Sequence, residues 1–260
     1  MRAIRTLVVA GLMAGVAGVG WVAPTADAES ILDAITHMTM VPPPPPPPTT
    51  TTTEPWSPVP RRTWLATPNQ ANIPTYNVPD GPQVGWAGTW YHGPITMPII
   101  ESNERWLLVR LPERPNMTVA YVRRSDVTVS ATQYRIIIDR SDKHLTVYDT
   151  GFPSWSAPVG LGRPKTPTPL GNYYVGVIEA PGPKGYGPIV LDLTAHSETI
   201  KSWQGTGDAI IAIHGPINSK SAKQIGTRGT YNTNGCVRMH AADQLRLEGI
   251  PVGTPVDIVE

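Results

Sequence analysis

The chain has 260 residues, which is enough for one large domain or two small ones with a real buried core. Its net charge is +1 and charged residues make up 16% of it. This balance argues against nucleic acid as a partner, because phosphate binding needs a concentrated basic surface. The 30 prolines and 24 glycines indicate linkers and the turns of an all-β chain.

The first residues have the pattern of a secretory signal peptide. Arg2 and Arg5 form a positive start, an apolar stretch follows over Thr6–Val22, and Ala26-Asp27-Ala28 fits a small-residue cleavage site. We therefore expect residues 1–28 to be removed and the protein to be exported to the cell wall or a periplasm-like space. The alternative is an uncleaved membrane anchor, which would be the chain's route to a membrane.

A Pro/Thr-rich linker is predicted over residues 29–63. Pro42–Pro48 is an unbroken proline run, and Thr49–Thr53 follows it. Such a segment forms an extended, semi-rigid polyproline II spacer and cannot build a core. We expect it to hold the folded part of the chain away from the membrane or to let it reach into a porous wall.

Residues 64–130 are predicted to form a small β-module. Arg105–Leu111 and Thr118–Val122 have the apolar pattern of short strands, and the Ser125-Asp126 turn precedes a last strand at Val127. The order of these pieces resembles that of bacterial SH3-like domains. The alternative interpretation is a generic β-module that packs against the next domain.

A second all-β domain is predicted over residues 131–260. Its predicted strands are Ile136–Ile138, Leu145–Tyr148, Gly171–Ile178, Ile189–Leu193, Ala209–Ile213 and Pro255–Val259. One short helix is predicted over Ala241–Glu248, with Gly249 as its stop. The pattern lacks strand–helix–strand alternation, which argues against a parallel doubly wound sheet. The predicted fold class is therefore all-β, mostly strands with one short helix.

The candidate catalytic residues are His214 and Cys236. His214 stands at the end of an apolar strand, and Cys236, the one cysteine of the chain, follows a polar, glycine-containing loop predicted over Ile217–Tyr231. An unpaired thiol outside the cytoplasm is exposed to oxidation and needs a function there, although many free cysteines are inert buried residues. A nearby imidazole can take the thiol proton and hold the thiolate as an ion pair. Cys236 is thus a predicted nucleophile and His214 its predicted base.

The residues next to Cys236 suit acyl chemistry. Gly235 lets the backbone approach a reacting carbonyl, and N–H groups around Gly235 and Cys236 could form an oxyanion hole. Arg238 is close enough in sequence to grip a carboxylate of the substrate. The alternative for Arg238 is a surface ion pair.

These residues resemble the signature of the L,D-transpeptidase catalytic domain family, also called YkuD-like. His214-Gly215 and Thr233–Arg238 match its His-Gly after a strand and its Ser/Thr-His-Gly-Cys run. Further segments agree with the family in order, namely Leu145–Tyr148, Val159-Gly160 followed by Thr166–Gly171, and Gly253–Val256. The resemblance spans residues 134–260.

The resemblance implies a mostly-β, sandwich-like catalytic domain and a cysteine acyltransferase that cross-links peptidoglycan stem peptides. Cys236 would form a thioester as a terminal D-Ala leaves, and an amine of a neighbouring stem would resolve it. Substrate-binding roles are implied for Gly215, Thr233, Asn234, Gly235 and Arg238. No metal or organic cofactor is implied, and carbapenem-type β-lactams are implied as covalent inhibitors.

One position departs from the family pattern. The family has a histidine before the Gly-Cys pair, where this chain has Asn234. Asparagine can donate a hydrogen bond but cannot titrate, so the predicted base remains His214. The part that the second histidine plays in substrate or oxyanion binding is left open at this position.

Other functions stay open on the sequence. Water as acceptor in place of an amine would make the protein an L,D-carboxypeptidase, and an inactive site would make it a cell-wall-binding protein. A zinc site is a further alternative, because Cys236 and His240 have ligand-like spacing and His196 and His214 could join them. The chain has no second cysteine and no HExxH motif, which argues against zinc.

Signal-peptide cleavage predicts a mature N-terminus at Glu29. The measurement is N-terminal sequencing, or the intact mass, of the exported protein. An intact Met1 on protein purified from the membrane fraction would show that the segment is a retained anchor.

Overall fold

The computed structural model describes residues 57–91, 93–227 and 229–260. The predicted signal peptide and most of the predicted linker lie outside the described residues. Within the described ranges, no helix has the length and apolar character needed to cross a membrane.

Residues 63–132 form an antiparallel sheet of eight strands with the order β4-β3-β2-β7-β6-β5-β1-β8. The strands are β1 (Thr63–Pro68), β2 (Asn72–Tyr76), β3 (Gln83–Trp90), β4 (Gly93–Pro94), β5 (Met97–Ser102), β6 (Trp106–Arg110), β7 (Val119–Arg123) and β8 (Val127–Thr132). In β7, buried Ala120 and Val122 alternate with more exposed neighbours, as expected for a strand with one face on a core. The resemblance to SH3-like domains stays a prediction.

Residues 134–259 form a second eight-stranded sheet with the order β11-β10-β9-β18-β13-β14-β15-β17, beside a small sheet of β12 and β16. The elements are β9 (Tyr134–Asp139), β10 (His144–Asp149), β11 (Phe152–Pro158), β12 (Leu161–Gly162), β13 (Gly171–Glu179), β14 (Val190–His196), β15 (Ile210–His214), α1 (Ser219–Gln224), β16 (Tyr231–Thr233), β17 (Val237–Arg238), α2 (Ala241–Leu245) and β18 (Pro255–Val259). The predicted hairpin is the antiparallel pair of β9 and β10. The all-β fold class is confirmed.

The main difference from the predicted elements is helix α1, which lies where a polar loop was expected. Asn218 caps it, because the Asn218 side-chain oxygen accepts from the Ser221 N–H at 2.8 Å. The Ser221 hydroxyl in turn accepts from the Asn218 N–H at 3.2 Å, which completes a capping box. This reciprocal cap stabilises a short helix in a segment without helical apolar periodicity.

The two sheets share packing at strand β13. Tyr174 of β13 is fully buried and belongs to the core of the first sheet, beside residues such as Leu107 and Val122. One position further along the same face lies Gly176, and a Cβ at this position would stand 2.1 Å from the Trp90 ring. Glycine at 176 is therefore what allows the β3 tryptophan to lie against the second sheet.

Replacing Gly176 with alanine should destabilise the protein by about 1–3 kcal/mol, because the added methyl overpacks the Trp90 contact. Gly93→Ala is the matched control, since Gly93 also lies in a strand and its Cβ would meet nothing within 4 Å. Denaturant unfolding of both variants measures the difference. Equal free energies of unfolding for the two variants would contradict this account of the contact.

Candidate active site

The pairing of β15 with β17 brings His214 and Cys236 to the same edge of the second sheet. The two strands run parallel, with Ile213 opposite Val237 and His214 opposite Arg238. Cys236 is the residue just before β17, so it lies beside the end of the strand that carries His214. The structure thus joins two residues that the chain separates by helix α1 and strand β16.

His214 and Cys236 line one cavity with a volume of about 170 Å³. Its other lining residues are Tyr186, Ser197, Ile200, Trp203, Ala209, Ile210, Ile217, Thr233, Asn234 and Arg238. Of the predicted site residues, Gly215 and Gly235 are not among those that line the cavity. A larger cavity of about 450 Å³ lies against Trp106 in the first sheet, and its lining contains no cysteine or histidine.

His214 is buried and held in one tautomer. Its Nδ1 lies 2.6 Å from the Gly215 carbonyl oxygen, which can only accept, so Nδ1 carries the hydrogen and Nε2 keeps a lone pair. Burial lowers the pKa of His214 to about 4, the Gly215 carbonyl raises it, and the charge of Arg238 lowers it. His214 is therefore neutral at pH 7 and can accept a proton at Nε2.

Cys236 is half-buried, and its thiol is favoured over the thiolate. Burial raises its pKa above the ordinary value, and the nearby charge of Asp192 raises it too. The backbone N–H of Ala212 and the charge of Arg238 act in the opposite direction but do not outweigh burial. Burial therefore favours a neutral thiol and a neutral imidazole at rest over the expected thiolate–imidazolium ion pair.

Two threonines hold the turn that presents Cys236. The Thr233 hydroxyl donates to the Cys236 carbonyl at 2.7 Å and accepts from the Gly235 N–H at 3.0 Å. The Thr168 hydroxyl donates to the Gly235 carbonyl at 2.7 Å and accepts from the Gly162 N–H at 2.9 Å. The Gly235 N–H is thus already bonded, and of the predicted oxyanion donors the Cys236 N–H is the remaining candidate.

Gly235 is required by its backbone conformation. Its φ is +124°, a region that other residues rarely adopt, and a Cβ would stand 2.8 Å from the Ile211 methyl. Gly235 therefore lies close to the strand that carries His214, and its approach to a substrate carbonyl stays a prediction. Thr168, which the sequence analysis named only as part of Thr166–Gly171, is a further residue that holds the turn before Cys236.

Arg238 supplies a buried positive charge to the cavity wall. It is only 6% exposed, so the alternative of a surface ion pair is wrong. Its Nη1 donates to the Asn232 side-chain oxygen at 2.9 Å, and its Nε has no hydrogen-bond partner among the described residues. Because Arg238 lines the Cys236 cavity, its guanidinium suits a carboxylate ligand there.

Two of the histidines invoked for a zinc site, His196 and His240, do not line the Cys236 cavity. His196 bonds through Nε2 to the Pro112 carbonyl oxygen at 2.8 Å, and His240 precedes helix α2. Within residues 57–91, 93–227 and 229–260, no group of three or more histidines, cysteines and acidic residues is placed to hold a metal ion. Asn234 lines both the Cys236 cavity and an adjoining cavity of about 220 Å³.

Residues 133–258 match the family model described as the L,D-transpeptidase catalytic domain, YkuD. The match covers just under half of the chain and confirms the family resemblance that the sequence predicted over residues 134–260. No curated protein matches the chain.

Several solved structures are similar to the chain. An Enterococcus faecium L,D-transpeptidase mutant is 20% identical over 48% of this chain and 49% of its own, with a TM-score of 0.37. An L,D-transpeptidase from Mycobacterium smegmatis is 15% identical over 60% of this chain and 91% of its own, with a TM-score of 0.37. L,D-transpeptidase 3 from Mycobacterium tuberculosis, in complex with a faropenem-derived adduct, is 13% identical over 64% of this chain and 91% of its own, with a TM-score of 0.40. The chain therefore spans about half the length of the E. faecium protein.

The neutral resting pair predicts how Cys236 responds to pH. Because burial raises the pKa of its thiol, alkylation by iodoacetamide should accelerate with pH and reach half its maximum above the ordinary thiol value of about 8.5. The chain has one cysteine, so the mass of the adduct reports this residue alone. The Cys236→Ser variant is the negative control, because it has no thiol to alkylate. A midpoint below about pH 7 would instead show a thiolate held by a protonated imidazole.

Proposed function

We propose that the protein is a cysteine L,D-transpeptidase that cross-links peptidoglycan stem peptides outside the cytoplasm. The family match at residues 133–258 supports the class of reaction. The observation that carries the proposal is that His214 and Cys236 line one cavity, with Nε2 of His214 in the form that accepts a proton. Export rests on the signal-peptide pattern over residues 1–28.

Acylation begins when His214 Nε2 takes the proton of the Cys236 thiol as sulfur attacks the carbonyl that precedes a terminal D-Ala. Attack forms the C–S bond, and the Cys236 N–H donates to the negative oxygen. The C–N bond then breaks as His214 returns the proton to the departing amine, so D-Ala leaves and a thioester remains. The low pKa of His214, about 4, makes its protonated form a strong acid for this return.

The thioester is resolved by an amine of a neighbouring stem peptide. His214 removes a proton from the attacking nitrogen, the C–N bond forms, and the C–S bond breaks to restore the thiol. Water in place of the amine would release a free tripeptide and make the protein a carboxypeptidase. Arg238, which carries a positive charge into the wall of the Cys236 cavity, is proposed to bind a carboxylate of the stem peptide.

Incubating the protein with a disaccharide-tetrapeptide and following products by mass spectrometry tests this function. The expected result is loss of D-Ala together with a dimeric product, and no product from Cys236→Ala. His214→Gln should lower the rate by about 10²–10⁴-fold, because it removes a general base. Loss of D-Ala with only free tripeptide would establish the carboxypeptidase.

A carbapenem separates an enzyme from a wall-binding protein. Intact mass should increase by one carbapenem in the wild type and stay unchanged in Cys236→Ala, since the chain has one cysteine. No turnover and no adduct on the wild type would defeat the enzyme proposal. In that case Asn234→His, which restores the family residue, would show whether position 234 is the cause.

A further inference from the structure

The loop between β14 and β15 forms one wall of the Cys236 cavity. We call residues 197–209 the cavity loop; they contribute Ser197, Ile200, Trp203 and Ala209 to the lining. Most of the loop is exposed, and Gly205 and Gly207 have positive φ, so packing alone holds it weakly. Its position depends on what fixes its two ends.

A segment that follows strand β6 in the first half of the chain contacts both ends of this loop. We call residues 112–117 the clamp segment. The side chain of Asn116 accepts from the His196 N–H at 2.8 Å and donates to the His196 carbonyl at 2.8 Å. One amide thus satisfies both backbone groups of the last residue of β14, as a neighbouring strand would. The start of the cavity loop is thus fixed by a residue outside the second sheet.

Arg114 of the clamp segment bridges the two ends of the cavity loop. Its Nη1 donates to the Ser197 carbonyl at 2.9 Å and its Nη2 to the Ile200 carbonyl at 3.3 Å. Its Nε donates to Asp208 Oδ1 at 2.9 Å, and Nη2 lies 2.8 Å from the same oxygen. A planar guanidinium with several donors can hold these acceptors at once, which a lysine cannot.

Asp208 remains a carboxylate in this setting. Burial raises its pKa, but the Ala209 N–H and the charges of His196 and Arg114 outweigh burial, and the pKa lies below the ordinary value. Asp208 Oδ2 lies 2.7 Å from Nδ1 of the buried His196. His196 in turn bonds to the Pro112 carbonyl of the clamp segment through Nε2. The loop end and the clamp segment are therefore tied by charge-assisted contacts.

We propose that Arg114 is a positioning residue for the active site, which shapes the substrate cavity by tying residues 197 and 200 to residue 208. The first half of the chain is then part of the catalytic machinery and not only a spacer or a wall-binding module. This inference rests on the proposed function. Ile200 and Trp203 would present their apolar surfaces to the substrate, and their placement follows the loop.

The nucleophile itself is held by other contacts. Cys236 and His214 are fixed by the β15–β17 pairing and by the bonds of Thr233 and Thr168. Releasing the cavity loop should therefore weaken substrate binding while leaving the intrinsic reactivity of the thiol unchanged. This difference separates a positioning role from a general effect on the fold.

The test is Arg114→Met, which keeps most of the aliphatic stem and removes every donor, with Arg124→Met as the control. Arg124 is exposed, lies in the same half of the chain, and lines a different cavity from that of Cys236. For Arg114→Met we expect a raised KM and a loss of about 10- to 100-fold in kcat/KM on the disaccharide-tetrapeptide, the scale of a small displacement in a site. Arg114→Lys should lie between the two, and Arg124→Met should match the wild type.

Three further measurements accompany the kinetics. Iodoacetamide should alkylate Cys236 at the wild-type rate in Arg114→Met, and hydrogen exchange should accelerate in residues 197–208. Arg114→Met and Asp208→Asn should be non-additive in a double-mutant cycle, because they break the same contact.

Equal kcat/KM for Arg114→Met and Arg124→Met would overturn the proposal. A loss accompanied by slower alkylation or by unfolding would overturn it too, since it would show a general effect on the fold. If the wild type shows no turnover, the proposed function fails. In that case, hydrogen exchange of residues 197–208 alone tests whether Arg114 holds the cavity loop. Unchanged exchange in Arg114→Met would refute the proposed role of Arg114.

Discussion

Strands β15 and β17 lie side by side in the same direction, with His214 opposite Arg238. Parallel neighbours cannot be joined by a tight turn, so the chain leaves the sheet after His214 and returns only after α1 and β16. Its return at this register places Cys236 next to the end of β15. The cavity and the buried Arg238 take their positions from the same pairing, and so does the turn that Thr233 and Thr168 hold.

Burial decides how the candidate catalytic pair works. A buried imidazole loses its charge and a shielded thiol keeps its proton, because both charged forms would lose their hydration. The field of Arg238 lowers the pKa of both groups and does not reverse this order. In the proposed mechanism, a pair that is neutral at rest would separate charge only when the sulfur attacks a carbonyl, and the Cys236 N–H would donate to the oxygen that takes up that charge.

The first half of the chain contacts the second sheet through packed side chains and the cavity loop through polar and charged side chains. Tyr174 sits in the core of the first sheet while its strand belongs to the second, and Trp90 lies against Gly176 on the same strand. Arg114 and Asn116 then extend from this shared core to the loop that walls the cavity. Close packing of this kind lets side chains from one sheet set the geometry of a loop on the other.

Local sequence determined the all-β class and most of the strands, and it singled out Cys236 and His214 as candidates. These features depend on short stretches of sequence, because apolar and polar residues alternate in a strand and turn residues mark its ends. The single cysteine after a polar loop is likewise a local signal. Helix α1 was not predicted, because its stability comes from an Asn218–Ser221 cap and not from apolar periodicity. Only the tertiary structure decided that the Gly235 N–H is already bonded and that Arg238 is buried. It also decided that burial favours neutral forms of Cys236 and His214, and that Arg114 contacts Asp208. Each of these depends on which groups lie together away from water, and residues distant in the chain settle that together.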